Sequence, residues 1–306
     1  DGTNTDTITV TVNVQDVNEA APVFTAGDTG SSTPNEGTTA AGTFAATDTD
    51  GTATQTYSIL TSGQNAASVD HDLFSVGAGG VLAFSSAPDF ENPGCGAGNN
   101  ANTCVVVIQV TDGANTDTIT VTVTVQDLND ETPAFTSSAT PSINENVQNV
   151  VTLGASDADD GDSVSFAITG GADEDLFEIT GGTTLRFKAG AGANFEAPGD
   201  ADSGNDYVVI VTATDTGSNS VAQTITASIQ DVNEHTPVFG DADGDGESST
   251  AEANADENQQ AVGTYAATDA DGSATQTYSI LTSGQNAASV DHDLFSVAGG
   301  GVLTFQ

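Results

Sequence analysis

The stretch that decides the reading runs from Asp112 to Phe135: "DGANTDTITVTVTVQDLNDETPAF". Its first half alternates threonine with isoleucine or valine. The copy at 1–19, "DGTNTDTITVTVNVQDVNE", does the same, with Ile8, Val10, Val12 and Val14 on one face and threonines on the other. That is the period of a half-buried β-strand, where β-branched, polar threonine is tolerated outward. The second half is a run of acids and an amide, then a proline, then a phenylalanine. Nearly the same string stands as "DVNEAAPVF" at 16–24 and "DVNEHTPVF" at 231–239.

The repetition extends beyond these strings. "TYSILTSGQNAASVDHDLFSV" at 56–76 returns unchanged at 277–297, and the acidic linkers are spaced by about 104 to 111 residues. That is the length of a domain rather than of most solenoid units. "CVVVIQV" and "YVVIVTA" are apolar on both faces and suit central strands. "TYSIL", "SFAIT", "DLFSV", "DLFEI" and "TTLRF" read as further short strands, with Gly, Asn, Asp and Ser between them. No helical period is sustained. The expected class is all-β, with about seven strands in each whole domain, which argues for sandwiches. The frame predicts a tail strand of a preceding domain at 1–16, whole domains at 17–127 and 128–231, and the N-terminal part of another at 232–306. The sequence then reads as a window on a longer tandem chain.

Composition narrows the function. Lys+Arg number 2 against 44 Asp+Glu, a formal charge of −42. Nucleic acid is excluded as a partner because it needs a basic face, and an anionic membrane surface would repel the chain. No apolar run is long enough to span a bilayer. Strict alternation argues against acidic disorder. Cations from outside are the expected counter-charge. Cys95 and Cys104 close the short loop "CGAGNNANTC"; a disulfide there implies an oxidising, extracellular setting, the alternative being two unrelated thiols.

The acids fall in a fixed order in each whole domain: a Glu in "NEG" or "NEN", then "DTD" or "DAD", then "DFE" or "NFE", then "TD", then the linker string. This resembles the cadherin repeat, in the divergent form seen in bacterial surface proteins, over essentially the whole chain. The resemblance implies tandem Ig-like, Greek-key β-sandwiches arranged as a linear rod, with Ca²⁺ between successive domains. It implies ligands for the junction between the two whole domains: Glu36, Asp89 and Glu91 from the first; Asn129 and Asp130 from the linker, with main-chain oxygens of Leu128 and Glu131; and Asp157, Asp159 and Asp215 from the second. The junction before it would use Asn18, Glu19, Asp48, Asp50 and Asp112. The junction after it would use Glu145, Glu196, Asn233, Glu234, Asp269 and Asp271. Two departures stand out: Glu19 and Glu234 replace the family's linker Asp, and Asn194 replaces an Asp, which removes a charge from its junction.

The chemistry of the residues points the same way. Calcium takes about six to eight oxygens mixed from carboxylates, amides and carbonyls. Asp–x–Asp on extended backbone would turn both carboxylates to one side. The proline stiffens the approach to the next strand, and Phe24, Phe135 and Phe239 are expected to plug the core that follows. Solvated turn acids are the alternative for any single motif. A separate signal, "DADGDGESSTAE" at 241–252, fits an EF-hand-like loop with Asp241, Asp243, Asp245 and Glu252 at the carboxylate positions and Gly246 at the turn. It reads either as a further calcium site or as a flexible acidic loop.

Other signals are weaker. "DHD" at 70–72 and 291–293 reads as a polar turn, since the second domain has "DED" there. His235 lies in a linker and is expected at the surface. Arg186 and Lys188 flank Phe187 and are expected to offset local acids. No catalytic constellation is apparent, so the chain is expected not to be an enzyme. The expected role is a calcium-stiffened extracellular stalk of a surface adhesin, whose partners are calcium and other cadherin-like domains or copies of itself. The alternatives are a subunit of a filament, sheath or surface layer, and spacer domains of an enzyme.

Overall fold

The computed structural model describes residues 2–50, 54–96, 98, 100–159, 161–190, 192–240, 251, 253–271, 275–282, 285 and 288–306. The EF-hand-like loop, with Asp241, Asp243, Asp245 and Glu252, lies outside the described residues. Among the described residues there is no α-helix, only strands and short 3-10 turns. By internal contacts the chain divides into two compact units, Asp1–Glu131 with Asp157–Asp162, and Thr132–Ser156 with Ser163–Gln306.

In the first unit the alternating string folds as expected. Thr116–Thr124 pairs antiparallel with Thr103–Thr111 and parallel with Thr29–Ser32, and Thr56–Ile59 completes a four-stranded sheet. A three-stranded sheet of Ala40–Thr43, Val81–Phe84 and Phe74–Val76 supplies the other layer. Ile119, Val121 and Val123 are fully buried between the layers, with Val125 beside them, while the threonines between them face outward. The "CVVVIQV" strand buries both faces at Val106, Val107 and Ile108 because it sits inside the sheet. Phe74 and Phe84 pack with ring centroids 4.5 Å apart. Each such buried side chain contributes roughly 1.5–3 kcal/mol. Cys95 and Cys104 form a disulfide, both buried, which ties the loop to the start of the long strand.

The second unit repeats the plan. Ser142–Asn144, Ser220–Gln230, Asp206–Thr214 and Ser165–Gly170 form one sheet; Asn149–Thr152, Thr184–Phe187 and Phe177–Thr180 form the other. Phe177 stacks on Phe187 at 4.7 Å, and Tyr207 closes against Phe187 at 5.1 Å. The same unit carries a further three-stranded sheet of Ala261–Thr264, Val302–Phe305 and Phe295–Ala298.

Three details depart from the sequence reading. Residues 4–19 lie in no strand, and Ile8, Val10, Val12 and Val14 are 86%, 69%, 77% and 91% exposed. A lone strand has neither backbone partners nor a layer to cover its apolar face. Of the three phenylalanines after the linkers, Phe24 is buried and Phe135 packs at the edge of its core, but Phe239 is half exposed beside Tyr278. Its surroundings include no counterpart of the four-stranded sheets among the described residues. "DLFSV" and "DLFEI" open on 3-10 turns, and the strands begin only at Phe74 and Phe177.

Candidate metal centres

The acids collect at the ends of the sandwiches, and two chemically distinct kinds occur there. Glu36 represents the first. It is 4% exposed, its Oε2 accepts from the Phe90 N–H at 2.6 Å and its Oε1 from the Leu128 N–H at 2.8 Å. One carboxylate therefore ties the "DFE" turn to the linker. Glu145 does the same in the second unit, accepting from Phe195 N and Val232 N, each at 2.9 Å. Burial works against the Glu145 charge, but these bonds outweigh it and hold the carboxyl below its ordinary value.

The second kind has oxygens that nothing in the protein satisfies. Glu91 Oε1, Asp157 Oδ2 and Asp159 Oδ2 are buried and accept no hydrogen bond. Oxygens of Glu36, Asp89 and Glu91 lie within 4.8 Å of one another, as do those of Glu91, Asp130 and Glu131, and those of Glu91, Asp127 and Asp159. Glu91 thus belongs to three overlapping groups. Burial, helped by the charges of Glu36 and Asp127, pushes its carboxyl up to about 7. Burial also raises Asp159, and the adjacent charge of Asp157 adds to it.

The "DTD" and "DAD" motifs do bring carboxylates together, but not through extended backbone. Asp50 N–H donates to Asp48 Oδ1 at 2.9 Å, Asp159 N–H to Asp157 Oδ1 at 3.1 Å and Asp271 N–H to Asp269 Oδ1 at 3.1 Å. Each motif is a turn closed on its own first carboxylate, which leaves that residue's other oxygen free to face its neighbour. Asp157, Asp159 and Asp162 have oxygens within 4.8 Å of one another as a result. The linkers dock on the second carboxylate: Ala20 N–H on Asp50 Oδ2 at 2.7 Å, Glu131 N–H on Asp159 Oδ1 at 3.4 Å, His235 N–H on Asp271 Oδ2 at 2.8 Å.

At the start of the first sandwich, Asn18 donates through Nδ2 to the Asp112 carbonyl at 3.3 Å, and Asn18 Oδ1 and Asp48 Oδ2 are left buried without a partner. Asp112 itself accepts from the N–H groups of Ala114 and Asn115, which hold its carboxyl low; the Asn115 bond is the largest cause. Asp215 sits in an equivalent turn and accepts from Asn219 N and Nδ2. Glu19 and Asn233 are exposed. Beyond the second sandwich, Glu234 accepts from Asn146 Nδ2 at 3.1 Å, and burial together with the Glu145 charge raises its carboxyl. Both oxygens of Glu196 are buried without a partner. Asn194 caps the same turn as Asp89, accepting from Ala197 N where Asp89 accepts from Asn92 N, so the turn survives and only the charge is lost.

Asp127, Asp162 and the carboxylate of Glu131 belong to these groups and were not among the expected ligands. Asp127 had a signal: an Asp opens each of the three linker strings, at Asp16, Asp127 and Asp231. Neither basic side chain reaches the groups. Arg186 pairs with Glu178 at 2.8 Å and Lys188 caps the Asp175 carbonyl at 2.6 Å. Donors made wholly of carboxylate, amide and carbonyl oxygen, with buried lone pairs left over, fit a hard divalent cation such as Ca²⁺.

No family model matches the chain, and no curated protein does. Solved structures do. The protocadherin GammaB4 extracellular domain matches 96% of the chain with a TM-score of 0.60 at 22% identity. Mouse cadherin-23 EC22-24 matches 94% of it with a TM-score of 0.58 at 19% identity, across 89% of its own length. The fold is that of cadherin extracellular domains. Human CDH23 EC21-23 gives the same result, with a TM-score of 0.58 at 17% identity over 93% of the chain. The cadherin-like chain spans 45% of the length of the protocadherin GammaB4 structure. Identities at this level establish the fold alone.

Proposed function

We propose that the chain is a calcium-rigidified extracellular stalk, part of a large bacterial surface adhesin that mediates cell–cell or cell–surface adhesion. One observation carries the proposal. Buried carboxylate oxygens of Glu91, Asp157 and Asp159 accept no hydrogen bond, and Glu36, Asp89, Asp127 and Asp130 offer oxygens alongside them. Carboxylates about 4 Å apart repel by roughly 4 kcal/mol near a protein surface. Without a cation such a linker favours spread conformations; Ca²⁺ reverses the sign and ties the linker to the sandwich ends. Each ion at about 10 to 100 times its dissociation constant adds roughly 1.4 to 2.7 kcal/mol. The chain's own residues contribute binding and positioning: Glu36 and Glu145 hold the linkers through their N–H groups, and the "DxD" turns present the remaining oxygens. The domain boundaries at 17–127 and 128–231, and the linear arrangement of the sandwiches, belong to this proposal. So does the extracellular location, which the Cys95–Cys104 disulfide supports.

A subunit of a filament, sheath or surface layer is the second reading. It is favoured by the exposed alternating face of Ile8, Val10, Val12 and Val14, which could add to a sheet edge of a neighbouring copy. The test is calcium titration followed by small-angle X-ray scattering. The maximum dimension should rise and its distribution narrow as Ca²⁺ is added. A scattering curve that chelator leaves unchanged overturns the stalk.

A further inference from the structure

The three linkers differ at one position of chemical consequence. After the acidic string stands Ala20 in the first, Glu131 in the second and His235 in the third. We propose that Glu196, His235 and Asp271 form a mixed nitrogen–oxygen site that takes a borderline first-row divalent cation of the Zn²⁺ class in preference to Ca²⁺. The proposal refines the reading of the linkers as cation sites and rests on it.

The geometry places the three donors together. One atom each of Glu196, His235 and Asp271 lies within 4.8 Å of the other two. His235 is fixed twice against Asp271, through its N–H to Oδ2 and through Nδ1 to Oδ1, each at 2.8 Å. Asp271 is 1% exposed, so this contact is built into the protein rather than draped over its surface. Glu196 supplies the independent indication of a ligand. Both its oxygens are buried and neither accepts a hydrogen bond. Buried carboxylate oxygens that accept no hydrogen bond are rare in proteins. Of the neighbouring acids, Glu145 accepts from the Phe195 and Val232 N–H groups and Glu234 Oε1 from Asn146 Nδ2.

The donor set chooses the metal. Calcium binds oxygen and has little use for imidazole, whereas imidazole with carboxylate suits Zn²⁺ and its first-row neighbours. Three protein donors with water in a fourth position is a usual zinc arrangement. Negative charge suited to calcium is also reduced here, with Asn194 where the first sandwich has Asp89 and imidazole where the second linker has the Glu131 carboxylate.

The experiment is isothermal titration of the whole chain with ZnCl₂ and, separately, CaCl₂, for wild type and His235→Glu. Imidazole ¹⁵N NMR of the wild type accompanies it and does not depend on the variant folding. The proposal expects one Zn²⁺ site whose affinity falls at least tenfold in His235→Glu, and His235 ring signals that move on adding Zn²⁺ but not Ca²⁺. It also expects His235→Glu to bind Ca²⁺ no more weakly than wild type. Zn²⁺ binding unchanged by His235→Glu, or Zn²⁺ that leaves the His235 ring signals in place, overturns the site. Wild type that binds Zn²⁺ at His235 but nowhere binds Ca²⁺ overturns the calcium stalk instead, so the two failures are told apart.

Discussion

Replacing Glu36 with Ala separates the two roles of a buried carboxylate, and the structure gives the size of each. Two charge-assisted bonds disappear, from Phe90 N at 2.6 Å and Leu128 N at 2.8 Å. Bonds of this kind contribute roughly 1.5–3 kcal/mol each, so the loss is about 3–6 kcal/mol. Something is regained without calcium. Glu36 and Glu91 have oxygens within 4.8 Å, and two charges at that distance repel by roughly 3 kcal/mol at an effective dielectric of ~20. At pH 8, where Glu91 is mostly charged, deleting Glu36 removes that repulsion. The net cost in chelator is then about 0–3 kcal/mol. With Ca²⁺ bound, the ion has already cancelled the repulsion, so the full loss appears, together with the lost ligand. The cost should therefore be larger in calcium by about 3 kcal/mol. Hydrogen exchange of the amides of strand Thr103–Thr111 reports the first sandwich alone, which avoids treating a multi-domain chain as two-state. In thermal unfolding the same difference amounts to about 12–24 °C for a domain of about 100 residues. Equal costs in calcium and in chelator refute the reasoning, since they mean Glu36 is a backbone tie and nothing else.

Two further predictions follow from the first sandwich. Because the Glu91 carboxyl is raised from 4.5 to about 7, the ion-free fold binds its proton more tightly than the unfolded chain does. Stability in chelator should thus fall as pH climbs from about 4.5 to 7. At 1.36 kcal/mol per unit the full shift is about 3 kcal/mol, which solvent screening reduces to about 1 kcal/mol. Calcium must displace the same proton, so affinity at this linker should drop roughly fivefold between pH 7 and 6. Glu91→Gln should flatten both dependences in calorimetry; unchanged slopes count against the assignment. Reducing the Cys95–Cys104 bond, which closes a loop of sequence separation 9, should lower the stability of the first sandwich by about 2–3 kcal/mol. The second, which has no cysteine, should keep its exchange rates; loss of protection in both would contradict separate cores.

Local pattern carried the long strands and the short ones it singled out in the two whole sandwiches, but not those near the start of each, such as Thr29–Ser32 and Ala40–Thr43. The alternation from Ile119 to Val125 was legible because period two and β-branching agree with the buried face. "TYSIL" was not decidable locally. At 56–60 it supplies strand Thr56–Ile59, which pairs with Thr103–Thr111. The identical residues 277–280 lie in no strand, and no counterpart of Thr103–Thr111 lies beside them among the described residues. A strand of this length takes its conformation from its neighbour, not from its own propensity. The site divides in the same way. Glu36, Glu91, Asp157 and Asp159 were read from ordered motifs and fall in overlapping groups of acids. Asp127 and the Glu131 carboxylate were missed because, beside Asn129 and Asp130, the linker was read as giving only main-chain oxygens. His235 is exposed as expected, and what the sequence did not show is its bond to Asp271, 36 residues away.

On the proposed reading, the division among the carboxylates separates acids that the backbone already satisfies from acids left for a cation in a chain of charge −42. Glu36, Asp70, Glu145 and Asp173 are buried acids, yet each has both oxygens satisfied by backbone N–H groups: Asp70 by Gly96 and Val105, Asp173 by Ala201 and Val208. These charges are neutralised by dipoles, which needs no metal. Asp70 and Asp173 tie loops to the long strands, while Glu36 and Glu145 tie turns to the linkers. The oxygens left over include those on Asp48, Glu91, Asp157, Asp159 and Glu196. These oxygens accept no backbone N–H. A chelator should accordingly loosen the linkers first and leave the Ile119–Val125 core protected. Simultaneous loss of both would mean that the ions hold the sandwiches together, and that the dipole-paired acids alone are insufficient.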